Sequence, residues 1–311
     1  MSQFGRILIV GAYGQVGREL QRSFAGSGEI IGRDRDTVDI AAEDQVRAMV
    51  RETSPDLILN AAAYTAVDRA ESEREIAMAI NAQAPRVLAE EALSRNILLV
   101  HYSTDYVFDG SKKGPWTEAD EPNPLSVYGE SKLAGEVAIR EVGGKTLTFR
   151  TSWVYGPHGN NFLLTMLRLG RERDRLTIVD DQFGGPTTSI ELADVTRTIA
   201  DAVLSGKYGP PDEWAGLYHM TCQGSTTWCG LARAIFSRTE NLLGFRGPEV
   251  DAISSDRYVT AAKRPRNSVL SNEKLRARFG VTLASWESAL DSTFAVLRDA
   301  GYGLGDLSSS R

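Results

Sequence analysis

Cysteine and histidine are scarce in this chain of 311 residues: two cysteines, Cys222 and Cys229, and three histidines, at positions 101, 158 and 219. Two cysteines are too few for a disulfide framework. No histidine lies in a His-x-x-x-His spacing and no Cys-x-x-Cys occurs, so a catalytic zinc is not expected. No segment approaches the run of about 18 apolar residues that a membrane span needs. The apolar run Ile7 to Val10 is too short for the core of a signal peptide, and the cytoplasm is the expected location. Positive charge is not in excess either: the net charge is −6, which gives no general attraction to nucleic acid or to an anionic membrane. An anionic ligand must then be held locally, by helix N-termini or single Lys and Arg side chains. There is no Gly-x-Ser-x-Gly elbow, no Walker loop, no internal repeat and no long Pro/Gly/Ser linker.

What is present is an alternation. Short apolar runs at Arg6–Gly11, Glu29–Gly32, Asp56–Asn60, Asn96–Tyr102 and Thr146–Thr151 read as strands. Helical spacing fills Gly14–Ala25, Glu43–Thr53, Ile76–Arg95 and the stretch around Tyr128 between them. Strand and helix repeated in this way predict an α/β fold, a parallel sheet covered on both faces, and specifically a Rossmann-type doubly wound sheet. After residue 151 the rhythm loosens. Helices are predicted over Asn161–Gly170, Ile190–Leu204, Thr226–Phe236 and Ser285–Ala300, with short strands near 176–179 and 216–220. The expected organisation is a dinucleotide-binding domain of residues 1–152 with 188–208. A smaller, interleaved C-terminal substrate region comprises 153–187 and 209–300. The tail 301–311 lacks periodicity and is expected to fray.

Gly11-Ala-Tyr-Gly14-Gln-Val-Gly17 follows the first strand and opens the first helix. Glycines there permit a tight turn and let a pyrophosphate approach the free N–H groups at the positive helix end. A glycine-rich βα turn without a ligand has the same composition. Asp34, after the second strand, can accept hydrogen bonds from an adenosine ribose, which favours NAD(H). Arg33 and Arg35 flank it, and an arginine there can hold the 2′-phosphate of NADP(H). This stretch alone leaves the cofactor's phosphate state open. Small residues at Asn60-Ala-Ala-Ala63 suit either packing or a close-lying flat ligand. His101-Tyr-Ser-Thr104-Asp105 ends the fourth strand at the edge where such sheets bind ligands. The Thr104 hydroxyl can cap its own loop or bond a substrate carbonyl.

Tyr128 and Lys132 lie four residues apart, on one helical face. An isolated tyrosine, with a pKa of about 10, is a poor acid at neutral pH. An ammonium roughly 4 Å away is worth about 4 kcal/mol at an effective dielectric of about 20. At about 1.4 kcal/mol per pKa unit the phenol is then expected near 7. A bare Tyr-x-x-x-Lys also describes an ordinary solvated helix face. Its place after the glycine turn and the Ser-Thr strand end is what marks it.

In that order these motifs resemble an extended short-chain dehydrogenase/reductase. Longer stretches are more specific: Asn60-Ala-Ala-Ala-Tyr-Thr-Ala-Val-Asp68, Ser103-Thr-Asp-Tyr-Val-Phe-Asp-Gly110, Tyr128-Gly-Glu-Ser-Lys132, Arg150-Thr-Ser-Trp-Val-Tyr-Gly156 and Asp181-Gln-Phe-Gly-Gly-Pro-Thr187. Together with Arg264-Pro-Arg-Asn-Ser268 they resemble the dTDP-4-dehydrorhamnose reductases over about residues 6 to 300. The resemblance implies NAD(P)H-dependent reduction of a C4 keto group on a dTDP-sugar. Tyr128 would be the proton donor, Lys132 would tune it and hold the nicotinamide ribose, and Thr104 would polarise the keto oxygen. Asp105 and Trp153 would bind the sugar. Gly14, Gln15, Val16, Asp34, Asp39, Ile40, Ala63, Tyr64, Thr65 and Tyr102 would line the cofactor, with Gly11 in the turn. NADPH is the expected donor, with NADH also accepted and only a modest preference between them. Sugar-nucleotide dehydratases of the same superfamily carry a glutamate where Tyr106 stands, so elimination of water lacks its base here.

Some members dimerise around a magnesium ion bound by glutamates. One such position is Ile190 here, with Glu19 and Glu191 nearby, so a homodimer is expected and its magnesium bridge is left open. Two other readings stand beside the reductase: an enzyme acting on another keto sugar, and a non-catalytic NADP-binding subunit of the methionine adenosyltransferase type. Intact Thr104, Tyr128 and Lys132 argue against the second.

Overall fold

The computed structural model describes residues 4–302. In chain order the elements of the first half are β1 (Arg6–Val10), α1 (Gln15–Ser23), β2 (Glu29–Arg33), α2 (Glu43–Thr53), β3 (Leu57–Asn60), α3 (Val67–Ala70), α4 (Arg74–Met78), α5 (Ala84–Ser94), β4 (Leu98–Thr104), α6 (Val127–Val142) and β5 (Thr146–Thr151). The second half comprises β6 (Val154–Tyr155), α7 (Phe162–Glu172), β7 (Arg175–Val179), β8 (Phe183–Gly184), β9 (Thr187–Thr188), α8 (Ser189–Leu204), α9 (Pro211–Trp214), β10 (Gly216–His219), β11 (Thr226–Thr227), α10 (Trp228–Leu243), β12 (Glu249–Ile253), α11 (Glu273–Phe279) and α12 (Trp286–Asp299).

Six strands form one parallel sheet in the order β2-β1-β3-β4-β5-β10. From β1 the chain steps one way to β2 and the other way to β3. The switch point, where ligands bind beyond the carboxyl ends of the strands, therefore lies between β1 and β3. Side chains alternate across the sheet. Ile7 and Ile9 of β1 join one apolar cluster with Leu20, Phe24, Phe149 and Leu192. Leu8 and Val10 join the other with Val46, Val50, Leu88 and Ile139. Helices thus cover both faces, the doubly wound arrangement expected from the sequence. The first cluster runs on through Tyr155, Leu163, Met166, Leu231 and Phe294 of the second half. The smaller region shares this core, which is the physical content of interleaving.

Several features differ from the sequence reading. Residues 216–219, grouped there with the substrate region, form the edge strand of the main sheet, paired with β5. The single helix expected over Ile76–Arg95 is split: a π turn at Ala79–Gln83 joins α4 to α5. That turn aims the buried Asn81 amide at the backbone of Tyr64 and at Ser131 of α6, and these bonds favour the local widening. The helix expected over Thr226–Phe236 runs on to Leu243, where Gly244 closes it in the left-handed conformation. Strand β12, with no counterpart in the sequence reading, pairs with β7. Of the tail expected to fray, Gly301 and Tyr302 form a turn that closes α12, the Tyr302 N–H donating to the Leu297 carbonyl at 2.9 Å. Residues 303–311 lie outside the described residues.

Candidate active site

The glycine turn is built by close approach. Gly11 has φ +78°, and a Cβ there would lie 2.6 Å from the Ala62 nitrogen. A Cβ on Gly17 would lie 2.0 Å from the Gly11 carbonyl oxygen, so only glycine lets α1 pack onto its strand. The N–H groups of Gly11 and Ala12 both donate to the Arg33 carbonyl, at 2.8 and 3.1 Å, tying the turn to the end of β2. No side chain caps α1. Its first-turn N–H groups therefore face outward as an anion site. Gln15 sits there with Nε2 on the Asn160 carbonyl at 3.3 Å and Oε1 buried without a partner, and Val16 packs against the first core cluster.

Asp34 is turned back onto this loop. Its Oδ2 accepts from the Tyr13 N–H at 2.9 Å and its Oδ1 from the Arg35 N–H at 2.8 Å. Arg33 donates to the Gly32 carbonyl. Among the described residues neither Arg33 nor Arg35 forms an ion pair. Asp39 is exposed and accepts from the Ala41 N–H at 3.0 Å, while Ile40 packs on the second core cluster. Beyond β3, the half-buried Ala63 is followed by Tyr64, held by Asn81 and by the Glu73 carboxylate, and by the exposed Thr65. The anion site, the unpartnered Gln15 oxygen and two arginines without acids fit a dinucleotide.

The reacting end lies at the carboxyl end of β4. Ser126 caps α6 by accepting from the Gly129 N–H at 3.2 Å, and the helix then carries Tyr128, Lys132 and Glu136 on one face. Lys132 is only 1% exposed. Its Nζ donates to the Tyr102 carbonyl at 2.6 Å and lies 3.3 Å from His101 Nε2. Burial lowers it to about 8, with Glu136 pulling the other way. Glu136 in turn accepts from Arg150 at 2.6 and 2.9 Å and from Ser103 at 2.5 Å.

The phenol of Tyr128 corrects an expectation. Instead of falling toward 7 it is pushed up to about 12, chiefly by burial, with a hydrogen bond to Thr104 opposing and the charge of Asp105 adding. The spacing brings Lys132 onto the right face, but its Nζ is turned onto the Tyr102 carbonyl, so desolvation of the phenol goes uncompensated. Tyr106 meets the Tyr128 ring edge-on, with centroids 5.6 Å apart.

Thr104 takes the first of the two roles considered for it. It caps its own turn, accepting from the Tyr106 N–H at 3.2 Å, and it donates to Asp105 Oδ1 at 3.0 Å. Asp105 is raised to about 6 by burial, against hydrogen bonds from Ser268, Ser152 and Thr104. Trp153 has φ +46°, a strained setting for a bulky residue. It is held there by stacking on Trp228, with centroids 3.6 Å apart and rings 7° from parallel. Tyr102 reaches this end of the sheet through its backbone. Its phenol faces the opposite side of the sheet, bonded to Thr196 at 2.7 Å, and only its carbonyl reaches Lys132.

Sequence reasoning passed over Asn81 and Trp228. Asn81 had a signal, a polar residue on the apolar face of a helix; Trp228 had none. Ser152, Ser268, Asp68 and Arg264 appeared in motifs without a role. Asp68 and Arg264 pair at 2.7 Å, tying the segment after β3 to the segment before Ser268. The open question of magnesium turns on Glu19 and Glu191. Glu19 is bound to Arg22 at 2.6 Å, and Glu191 accepts from the Ala284 N–H at 3.0 Å. Among the described residues no group of three His, Cys, Asp or Glu could hold a metal ion. With both carboxylates engaged inside the chain, these residues do not fit the ion.

A parallel sheet with its glycine turn at the switch point, and a Tyr-x-x-x-Lys helix beside a Ser-Thr strand end, define an NAD(P)-dependent oxidoreductase of the short-chain dehydrogenase/reductase class. Residues 5–298 match the family model described as the RmlD substrate binding domain. The chain is 45% identical over 289 residues to the dTDP-4-dehydrorhamnose reductase of Burkholderia thailandensis, covering 92% of this chain and 96% of that one. The solved reductase orthologue from Clostridium acetobutylicum superposes with a TM-score of 0.86 at 38% identity, over 94% of this chain and 99% of that one. The reductase from Bacillus anthracis, solved in complex with NADP, gives 0.85 at 35% identity over the same shares. The chain belongs to the dTDP-4-dehydrorhamnose reductase family.

Proposed function

We infer that this chain reduces the C4 keto group of dTDP-4-dehydro-β-L-rhamnose to the hydroxyl of dTDP-β-L-rhamnose, the last step of dTDP-rhamnose biosynthesis. The observation that carries the reading is the convergence of Thr104, Asp105 and Tyr128 at the end of β4, with Lys132 one helical turn away. NADPH, or NADH, supplies the hydride when bound. Tyr128 donates the proton. Held near 12, its phenol stays protonated across the neutral range, and the alkoxide developing at C4 is a stronger base. Thr104, whose hydroxyl donates to Asp105 Oδ1 in this structure, turns to the same oxygen when the sugar is bound, so charge that grows there meets two donors. Asp105, fixed by Ser152 at 2.9 Å, binds sugar hydroxyls, and Trp153 packs against the sugar. Lys132 has spent one donor on Tyr102 and keeps another for the nicotinamide ribose.

For the cofactor we assign Gly11, Gly14, Gln15 and Val16 to the pyrophosphate. Asp34, Asp39 and Ile40 take the adenosine, and Ala63, Tyr64, Thr65 and the Tyr102 carbonyl the remainder. Because Asp34 is engaged with backbone N–H groups while Arg33 and Arg35 have no acidic partner, a modest preference for NADPH follows. Residues 1–152 with 188–208 hold the dinucleotide, and 153–187 with 209–300, less the edge strand β10, hold the sugar. The enzyme works in the cytoplasm as a homodimer. In support, no helix among the described residues is long and apolar enough to cross a membrane.

The test is an absorbance assay with NADPH and enzymatically prepared dTDP-4-dehydro-L-rhamnose. Wild type should oxidise NADPH, and Tyr128→Phe should lose about a hundredfold or more of kcat. Absence of turnover by wild type sinks the reading; equal rates sink the role of Tyr128.

A further inference from the structure

Asn60 of β3 lies directly opposite His101 of β4 in the parallel ladder. Both side chains point to the face covered by α6, and they are 2% and 0% exposed. Their hydrogen bonds must therefore be satisfied inside the protein. The Asn60 amide has one anchor of fixed polarity. The Ala62 backbone N–H, a donor only, lies 3.3 Å from its Oδ1. With Oδ1 engaged there, Nδ2 faces His101 Nδ1 at 3.0 Å. An amide NH2 donates, so Nδ1 carries the lone pair and a neutral imidazole has its proton on Nε2. Burial and the Lys132 charge keep this histidine neutral, well below its ordinary value. Nε2 in turn lies 3.3 Å from Lys132 Nζ. An N–H directed at an ammonium is a contact between two donors. Directed at a neutral amine it is a hydrogen bond, because the amine offers a lone pair and can still donate to the Tyr102 carbonyl.

We propose that Asn60 and His101 are positioning residues for Lys132: the Ala62 N–H orients the Asn60 amide, the amide selects the Nε2–H tautomer of His101, and that N–H opposes the ammonium form of Lys132. The inference rests on the reductase reading, in which Lys132 belongs to the site. Lys132 is then a group that exchanges its proton near neutral pH, not a permanent cation. Other ionisable groups around it are Tyr128 and Glu136 on its own helix, the Tyr102 phenol lying on the other face of the sheet. Asp105 acts from the turn after β4, and Arg150 from β5 is held by Glu136. The π turn presents the neutral Asn81, through Ser131. Of these, Glu136 favours the ammonium, so the tautomer of His101 works against it.

The experiment uses the full chain labelled with nitrogen-15 in its three histidines, with His101 assigned by its loss in His101→Gln. At neutral pH the His101 spectrum should show Nε2 protonated and Nδ1 bare. In Asn60→Asp a carboxylate, which only accepts, faces Nδ1. The proton should move to Nδ1, and the alkaline limb of kcat should rise by about one pH unit as Nε2 becomes an acceptor for Lys132. A proton on Nδ1 in wild type overturns the proposal without touching the reductase reading, as does an unchanged or lowered limb in a folded Asn60→Asp. Failure of wild type to reduce the sugar would sink the reductase reading, while the nitrogen spectrum would still decide the tautomer.

Discussion

The two faces of the central sheet are built from the same strands and obey opposite rules. On the face covered by α1 and α8, Leu59, Val100, Tyr102 and Phe149 join one continuous apolar cluster. One residue along each strand, Asn60, His101, Ser103 and Arg150 point the other way, toward Lys132 and Glu136 of α6. A buried parallel sheet is ordinarily apolar on both faces. Here one corner carries polar and ionised groups, and it persists because most of them are answered by a neighbour: Glu136 by Arg150 and Ser103, Lys132 by Tyr102, with Arg150 Nη1 left without a partner. The apolar face supplies stability, whereas the polar face holds a lysine where desolvation brings it to about 8.

The comparison can be broken first by removing bulk from the apolar face. Phe149→Ala, at a residue 0% exposed, should cost about 4 kcal/mol in denaturant unfolding. That loss should be independent of pH, with the pH profile of kcat unchanged. Glu136→Gln should cost about 3 kcal/mol, because it leaves Arg150 buried without its partner. Unlike the first variant it should also shift the alkaline limb of kcat downward, since Glu136 raises Lys132. If both variants leave the profile alone, the two faces do not differ in the way described.

A smaller effect sharpens the picture at the sheet edge. Asp105 is raised to about 6 in the folded protein, above an unfolded value of about 4. A raised folded pKa means that the folded state binds the proton more tightly. The stabilisation is fully present below about 4 and is lost as pH rises through about 6. Asp105→Asn removes that dependence, so wild type should gain on the variant by about 2 kcal/mol between pH 7.5 and pH 4.5. Equal slopes in thermal melts would show that the carboxylate is not desolvated. The smallest effect belongs to the exposed rim. Arg33→Ala with Arg35→Ala should lower the NADPH-to-NADH ratio of kcat/KM about tenfold, or about 1.4 kcal/mol. An unchanged ratio would mean that the 2′-phosphate is read elsewhere.

Much of the site was legible because its signals are local. The glycine turn declares itself through Gly11, Gly14 and Gly17, whose spacing reflects contacts within a few residues. The order of strands and helices follows from short apolar runs. Tyr128 and Lys132 share a helical face because 3.6 residues make a turn. The helix over Ile76–Arg95 was visible, but its π turn was not. The cause is Asn81 reaching Tyr64 and Ser131, and no window of sequence contains both.

The amino-acid sequence by itself determined that this is a doubly wound α/β protein with a glycine turn, a Ser-Thr strand end and a Tyr-Lys helix, because each is a matter of neighbours along the chain. Only the tertiary structure decided which way Lys132 points, and hence why Tyr128 stays protonated instead of falling toward neutrality. It also decided that Asp105 is enclosed by Ser152 and Ser268, and that Asp68 meets Arg264 across the site. The physical reason is common to all of these. A pKa is set by burial and by charges within a few ångströms, and in a parallel sheet those neighbours arrive from strands and loops tens to hundreds of residues apart.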